Sequence, residues 1–252
     1  MKQRLLKVFF ICMAVAFLPQ VAHAAGDIEI NATNFPDDNF RNYLLEQEYG
    51  KDGKLTKAEI ENVNKLDVVG KNISSLQGIE YFTALATLNC SNNQLTALDV
   101  SKHTILGSLD CSNNQLTALD VSKNTALNTL YFHCNQIKGT SMDNLINSLP
   151  TNNNADSFFE LYVYSSVNPN EGNVCTKEQV LAAEEKGWRV WCEIDAYGGW
   201  TYYEGSDDTP SNVNDIRTET GQDAPVYDLR GQCLTAPQKG VNIIGGRKVV
   251  VK

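Results

Sequence analysis

The stretch Leu85-Ala-Thr-Leu88-Asn-Cys90-Ser-Asn-Asn93-Gln-Leu95-Thr-Ala-Leu98-Asp99-Val100 returns 21 positions later as Leu106-Gly-Ser-Leu109-Asp-Cys111-Ser-Asn-Asn114-Gln-Leu116-Thr-Ala-Leu119-Asp120-Val121. A third copy begins Leu127, Leu130, Phe132, Asn135, Ile137 and then departs. In Leu88-x-Cys90 the apolar residues alternate, which puts both side chains on one face of a short strand. Asn93 follows where the chain must turn. Its amide carries an acceptor and two donors, enough to satisfy backbone groups that a turn exposes. Asn93, Asn114 and Asn135 are therefore expected to form a ladder that holds successive turns together. Leu95 and Leu98 point back inside from the return leg. No unit of this kind covers its own apolar face, so each must stack on a neighbour and the ends need caps.

This spacing is the L-x-x-L-x-L-x-x-N/C-x-L frame of a leucine-rich repeat, at the short end of its length range. So short a coil leaves no room for a full outer helix and predicts an extended or single-turn outer leg. A weaker copy precedes the others: Val63, Leu66, Val68, Ile73 and Leu76, with Lys71 at the asparagine position. The step from Leu66 to Leu88 is 22, which places one inserted residue near Gly78. The fold class expected is α/β. It is a short leucine-rich-repeat solenoid with a parallel β-sheet on its concave face, a helical N-terminal cap, a βα C-terminal flank and a small β tail.

Residues 1–24 read as a secretory signal peptide. Lys2, Arg4 and Lys7 precede the apolar run 8–18, and Ala22-His23-Ala24 supplies the small-x-small cleavage site. The run is too short for a spanning helix, and no later segment is apolar enough for one. Removing these three positive charges takes the net charge from −9 to −12. A chain so acidic should repel nucleic acid and anionic membrane surfaces, which excludes both as main partners.

Six cysteines remain after cleavage. Cys90 and Cys111 hold one position on adjacent parallel rungs, about 4.8 Å apart. Their parallel side chains suit a disulfide poorly, since its β-carbons lie roughly 3.8 Å apart. They read as buried groups standing in for leucine. Cys175 with Cys192 is the pair most open to oxidation.

Residues 25–63 read as the cap. Pro36 falls in the first turn of a helix carrying Phe40, Tyr43 and Leu44, and Thr56 with Glu59 forms a capping box that starts a second. Between them, Glu48 to Glu59 has the length of an EF-hand loop, with Asp52, a turn glycine at Gly53, Leu55 and Glu59 in the twelfth place. Glu48, Asp52 and Glu59 are its candidate metal ligands. Gly50 supplies no side chain at the third place, and calcium takes six to eight oxygens. The expectation is a cap without metal and no cofactor, with calcium as the rival. Residues 64–138 hold the repeats. Residues 139–204 form the flank, helix–strand–helix–strand, with Met142, Leu145, Ile146 and Leu149 on one helix face and strands at 159–164 and 188–193. Trp200, Tyr202 and Tyr203 close its far end. Residues 205–224 form an acidic linker poor in apolar residues, and 225–252 a tail of two or three short strands with a Gly-Gly hairpin.

The doubled run Leu-x-Cys-Ser-Asn-Asn-Gln-Leu-Thr-Ala-Leu-Asp-Val-Ser resembles short secreted leucine-rich-repeat proteins of the Bacteroidetes type. Ser148-Leu-Pro150, Asn173-x-x-Thr-Lys-Glu-Gln179 and Lys186-Gly-Trp188 are similar to the C-terminal flank of that group. The tail, with Tyr227-Asp-Leu-Arg-Gly231, Lys239-Gly240 and Lys248-Val-Val-Val-Lys252, is similar to sorting tails read by type IX secretion systems. The resemblance implies export to the medium or cell surface and names no ligand.

Nothing in the spacing points to an enzyme. His133 and Cys134 are adjacent, so on a strand they face opposite sides and form no nucleophile–base pair. No C-x-x-C or H-E-x-x-H spacing and no glycine-rich phosphate loop occurs. The exposed strand positions are Lys65, Asp67, Val69, Thr87, Asn89, Ser91, Ser108, Asp110, Ser112, Thr129, Tyr131 and His133. Among them Asp67, Asn89, Asp110, Tyr131 and His133 are the candidate ligand-binding residues, with the aromatic pair as anchors. The expected function is recognition of a protein or glycan through the concave sheet. The alternatives are a structural cell-envelope module without a ligand on that face, and a calcium-responsive cap.

Overall fold

In a computed structural model of the chain, residues 26–154, 159–194 and 199–206 are described in full, together with the strand backbones at 226–227, 233–234, 240–244 and 247–251. The signal-peptide residues and all of the linker beyond Ser206 lie outside the described residues.

Strand β1 (Ile28–Glu29) leads to helix α1 (Asp38–Glu46), strand β2 (Lys54–Leu55) and helix α2 (Lys57–Asn62). β1 and β2 pair antiparallel, with Ile28 opposite Leu55. Pro36 lies one residue before the α1 cap rather than in its first turn, because Asp37 is the residue that accepts from Phe40 N–H. The second Asp37 oxygen accepts from Ser74 N–H at 2.8 Å, Ser74 Oγ–H at 2.7 Å and Ser75 N–H at 3.2 Å. One carboxylate thus caps a helix and clamps it to the first coil. Burial alone would raise its pKa, yet these hydrogen bonds hold it below the ordinary carboxylate value. Thr56 and Glu59 form a reciprocal capping box at α2.

Six parallel strands follow. They are β3 (Lys65–Asp67), β4 (Thr87–Asn89), β5 (Ser108–Asp110), β6 (Thr129–Tyr131), then β7 (Phe159–Ser165) after helix α3 (Thr140–Ser148), then β8 (Trp188–Glu193) after helix α4 (Lys177–Glu185). A short β9 (Trp200–Tyr202) runs antiparallel to β8 and ends a 7-stranded sheet. Leu66, Leu88, Leu109, Leu130, Leu161 and Val190 stand opposite one another in register across the six parallel strands. All six are buried, each contributing about 2 kcal/mol by removal from water. The outer legs of the early coils hold only a three-residue 3-10 turn at Ile79–Tyr81, whereas the later coils carry α3 and α4. Gly78 starts that 3-10 turn at φ +101°, where a Cβ would meet Phe35 Cδ1 at 2.3 Å. The extra residue of the first coil is thus used to let the cap's Phe35 approach the backbone.

Each coil turns through a left-handed residue one position before the ladder: Gly70, Asn92, Asn113 and Cys134, with φ of 64°, 57°, 53° and 56°. Glycine and asparagine tolerate this region. Cys134 is the exception, and its N–H is held at 2.7 Å by Glu171. Behind each turn the ladder amide bridges two coils. Asn114 Oδ1 accepts from Leu95 N–H at 3.0 Å, and its Nδ2 donates to Cys90, Cys111 and Ser112 carbonyls at 3.0–3.1 Å. Asn93 and Asn135 repeat the pattern. Asn173 adds a fourth rung, accepting from Ile137 N–H and donating to Phe132 and Val163 carbonyls. A second, outer brace joins the long legs: His103 Nε2 lies 3.0 Å from the Ile79 carbonyl, and Asn124 Nδ2 donates to the Val100 and His103 carbonyls.

Cys175 and Cys192 are free thiols rather than a pair. Their sulfurs address different carbonyls, Thr176 and Glu193. Cys90, Cys111 and Cys134 are also free and buried. The tail is a separate unit from 208 onward. Its strands β10 (Val226–Tyr227), β11 (Cys233–Leu234), β12 (Gly240–Ile244) and β13 (Arg247–Val251) form an antiparallel sheet in the order β11-β10-β12-β13.

Two outcomes follow from this packing. Asn114→Ala removes four buried hydrogen bonds at once and leaves backbone groups of two coils unpaired, so urea unfolding should show a loss of ~3 kcal/mol or more. Asn173→Ala should behave alike, whereas the exposed Gln115→Ala should change stability by less than about 0.5 kcal/mol. Burial pushes the Cys134 and Cys175 thiols up to about 12, and Cys90 and Cys111 higher still. These four should resist iodoacetamide at pH 8 in the native protein and label only after denaturation, as read by mass spectrometry.

Candidate functional site

The solvent-facing side chains of the sheet fall into rows that cross all its strands. One row reads Asp67, Asn89, Asp110, Tyr131, Tyr162, Trp191 and Tyr202, each opposite the next in register. The row changes character halfway. Asn89 Oδ1 accepts from Ser91 N–H at 3.1 Å and Oγ–H at 2.9 Å, and Asp110 Oδ1 from Ser112 N–H at 3.0 Å and Oγ–H at 2.6 Å. Asp67 points the same way, at 3.5 Å from Val69 N–H. These three candidate residues brace their own turns, as Asx side chains do. Ser91 and Ser112 are consequently buried, not exposed as the alternation implied.

From Tyr131 onward the row is aromatic. Tyr131 and Tyr162 stack at 3.9 Å with 6° between ring planes, and Trp191 and Tyr202 stack at 4.5 Å and 20°. Tyr162 and Trp191 are near-parallel at 6.4 Å. Trp200, brought back by the antiparallel β9, reaches across the row and meets Tyr162 at 4.7 Å, His133 at 5.2 Å and Tyr131 at 6.4 Å, each edge-on. Tyr202 is 55% exposed, and the other rings of the row and Trp200 are half-buried. Burial between neighbours, with the Tyr162 hydroxyl close by, raises the pKa of Tyr131.

His133 does not stand exposed beside Tyr131 as expected. It is 8% exposed, and its Nδ1 has no hydrogen-bond partner. Burial lowers its pKa, opposed by the charges of Asp110 and Glu193, and a neutral imidazole results near pH 7. Glu160 accepts from the Trp191 indole N–H. Glu193 accepts from Ser165 Oγ–H at 2.7 Å. Asp110, Glu160 and Glu193 therefore surround the rings, each with one oxygen engaged in the fold.

The repeat spacing points to Tyr131 and His133 as binding residues, but not to Tyr162, Trp191, Trp200 or Tyr202. The signal was present in the alternation of 159–164 and 188–193. Aligning them on Tyr131 required knowing that coils of 31 and 29 residues return to the same register. The three EF-hand carboxylates each have a protein partner. Glu48 pairs with Lys51, Asp52 accepts from Lys54 N–H, and Glu59 accepts from Thr56 N–H and Oγ–H at 2.8 Å. Gly50 is pinned by the α1 backbone, where a Cβ would meet Leu44 O at 2.1 Å. Among the described residues no group of three or more His, Cys, Asp or Glu is placed to hold a metal ion. Burial pushes the Cys134 thiol up to about 12, so it is protonated at neutral pH. Among the described residues no helix is long and apolar enough to cross a membrane.

No family model matches the chain. A stretch of 71 residues is 36% identical to internalin J of Listeria monocytogenes, covering 28% of this chain and 8% of that protein's length. Among solved structures, the functional domain of InlJ from Listeria monocytogenes, described as including a cysteine ladder, is 30% identical over 46% of this chain and 26% of that one, with a TM-score of 0.41. The internalin InlF of the same species is 24% identical over 66% of this chain and 45% of that one, with a TM-score of 0.47. The chain thus spans less than half the length of each. The repeated frame, the parallel stack of leucines and the stretch shared with internalin J agree on a leucine-rich-repeat protein of α/β type.

Proposed function

We propose that this chain is an exported, surface-acting binding module that recognises a protein or glycan partner through the C-terminal half of its concave sheet. One observation carries the reading: the in-register row of Tyr131, Tyr162, Trp191 and Tyr202, crossed by Trp200, on the open face of the sheet. A solvated sheet needs no such row, and the N-terminal half of the same sheet does without one. Tyrosine and tryptophan concentrate binding energy because they bury much area at low entropic cost. The likeness to internalin J supports an interaction role on a cell surface. Export is supported by residues 1–24 and by the sorting-like tail at 225–252. A structural envelope module with a bare sheet leaves the aromatic row without a reason.

The test is capture of partners from host and cell-envelope extracts by the mature protein, compared with Trp191→Ala/Tyr202→Ala. Retention of specific partners should fall about 30-fold, the loss of a hot-spot pair, while Asp67→Ala on the polar half leaves capture unchanged. Equal capture by all three proteins would end the reading. Deleting residues 225–252 should hold the protein inside the envelope of its native cell, and a truncated form that still reaches the surface removes the tail from the export argument.

A further inference from the structure

We propose that the aromatic end of the concave face seats a lysine- or arginine-bearing segment of a partner protein, not a glycan. This rests on the concave face being the binding surface and names the chemistry of its partner.

The first ground is what the rings leave open. A sugar stacks its C–H face on an open aromatic face. Here Tyr131 and Tyr162 cover each other at 3.9 Å, and Trp191 is covered by Tyr202 at 4.5 Å. With those faces covered the row offers mainly ring edges, and the exposed Tyr202 stands at its end. A comb of ring edges suits the methylene stem of a long side chain, which lies along apolar surface while its charged head reaches past it.

The second ground is where that head would land. Asp110 precedes Tyr131 in the same row, while Glu160 and Glu193 sit one row to either side of Trp191. Asp110 and Glu193 each have one oxygen held by the fold, by Ser112 and Ser165, which fixes the carboxylate, while Glu160 is held by the Trp191 indole and stands opposite Arg189. Arg189 is the sole cation among the outward residues of β6 to β9. A charge-assisted bond from ammonium or guanidinium to a fixed carboxylate is among the stronger polar contacts.

The third ground is the field of the whole chain. The net charge of −9 supplies the long-range field that draws a basic partner in and turns away acidic glycans.

The test uses the full mature chain and three probes: decapeptides rich in lysine and arginine, the same peptides with acetyl-lysine and citrulline, and a neutral hexasaccharide. Quenching of tryptophan fluorescence reads binding. The basic peptides should bind, weaken at least 10-fold between 50 and 500 mM salt, and weaken at least 10-fold on Glu160→Gln/Glu193→Gln. Glu193→Gln alone, which leaves the Trp191 contact untouched and keeps an amide oxygen to accept from Ser165 Oγ–H, should show part of the loss with a thermal midpoint close to that of the wild type. The neutralised peptides should not bind. Equal binding of basic and neutralised peptides, no binding of either, or quenching by the hexasaccharide alone overturns the proposal. Loss of partner capture in Trp191→Ala/Tyr202→Ala but not in Glu160→Gln/Glu193→Gln would leave the binding face standing and remove the basic partner. Capture indifferent to both would remove the two together.

Discussion

Everything in this molecule depends on one side-chain amide doing the same work four times. A coil of 21 residues turns so sharply after its strand that carbonyls and N–H groups point inward, away from water and from any strand partner. Buried and unpaired, each would cost about 1–3 kcal/mol. The ladder asparagine reaches back to the preceding coil, accepting from a return-leg N–H and donating to carbonyls of both turns. The reach has a direction: Asn93 clamps the coil of Val68 and Ile73, Asn114 that of Cys90 and Leu95, Asn135 that of Cys111 and Leu116, and Asn173 that of Phe132 and Ile137. This explains Lys71. The first coil has no coil behind it to clamp, so its ladder position needs no amide, and its N–H is served by Asn93.

The same logic separates what could be read from the chain and what could not. Leu88, Leu109 and Leu130 stack as their spacing implies, because identical coil lengths force identical register. Asn173 was hidden because a loop separates it from Val163 by ten positions, against three from Phe132 to Asn135. The Asn124–His103 brace repeats at 21 positions too, yet neither residue stands in the leucine frame. Alternation alone placed Ser91, Ser112 and His133 in solvent. The Asx bonds pull the serines into the turn, and Trp200 closes over the histidine. Alternation assigns a face; it does not say what else will cover that face.

The polarity change along the concave row has a physical source in the coils behind it. Where outer legs are short and extended, the strands are three residues long and Asp67, Asn89 and Asp110 are needed to finish their turns. Where α3 and α4 widen the coil, β7 and β8 lengthen to seven and six residues. Their turns are then completed elsewhere, by Glu171 and Glu193. Glu171 accepts from the N–H groups of Cys134, Ser165 and Asn173. The row position is thereby released from structural duty, and aromatic residues occupy it.

Ending the solenoid also builds the face. A parallel stack can always accept another coil, and its last strand presents unpaired backbone groups that invite unwanted pairing. Here the chain reverses after β8, and the three-residue β9 takes that edge antiparallel. Reversal places Trp200 opposite Glu193 rather than in line with a next coil, so its ring folds back over Tyr162 to His133. It also sets Tyr202 opposite Trp191, which extends the stack by one ring. The strand that stops the repeat therefore supplies both the most exposed ring of the row and the one that crosses it. A coil in its place would have continued the ladder and left His133 open to water.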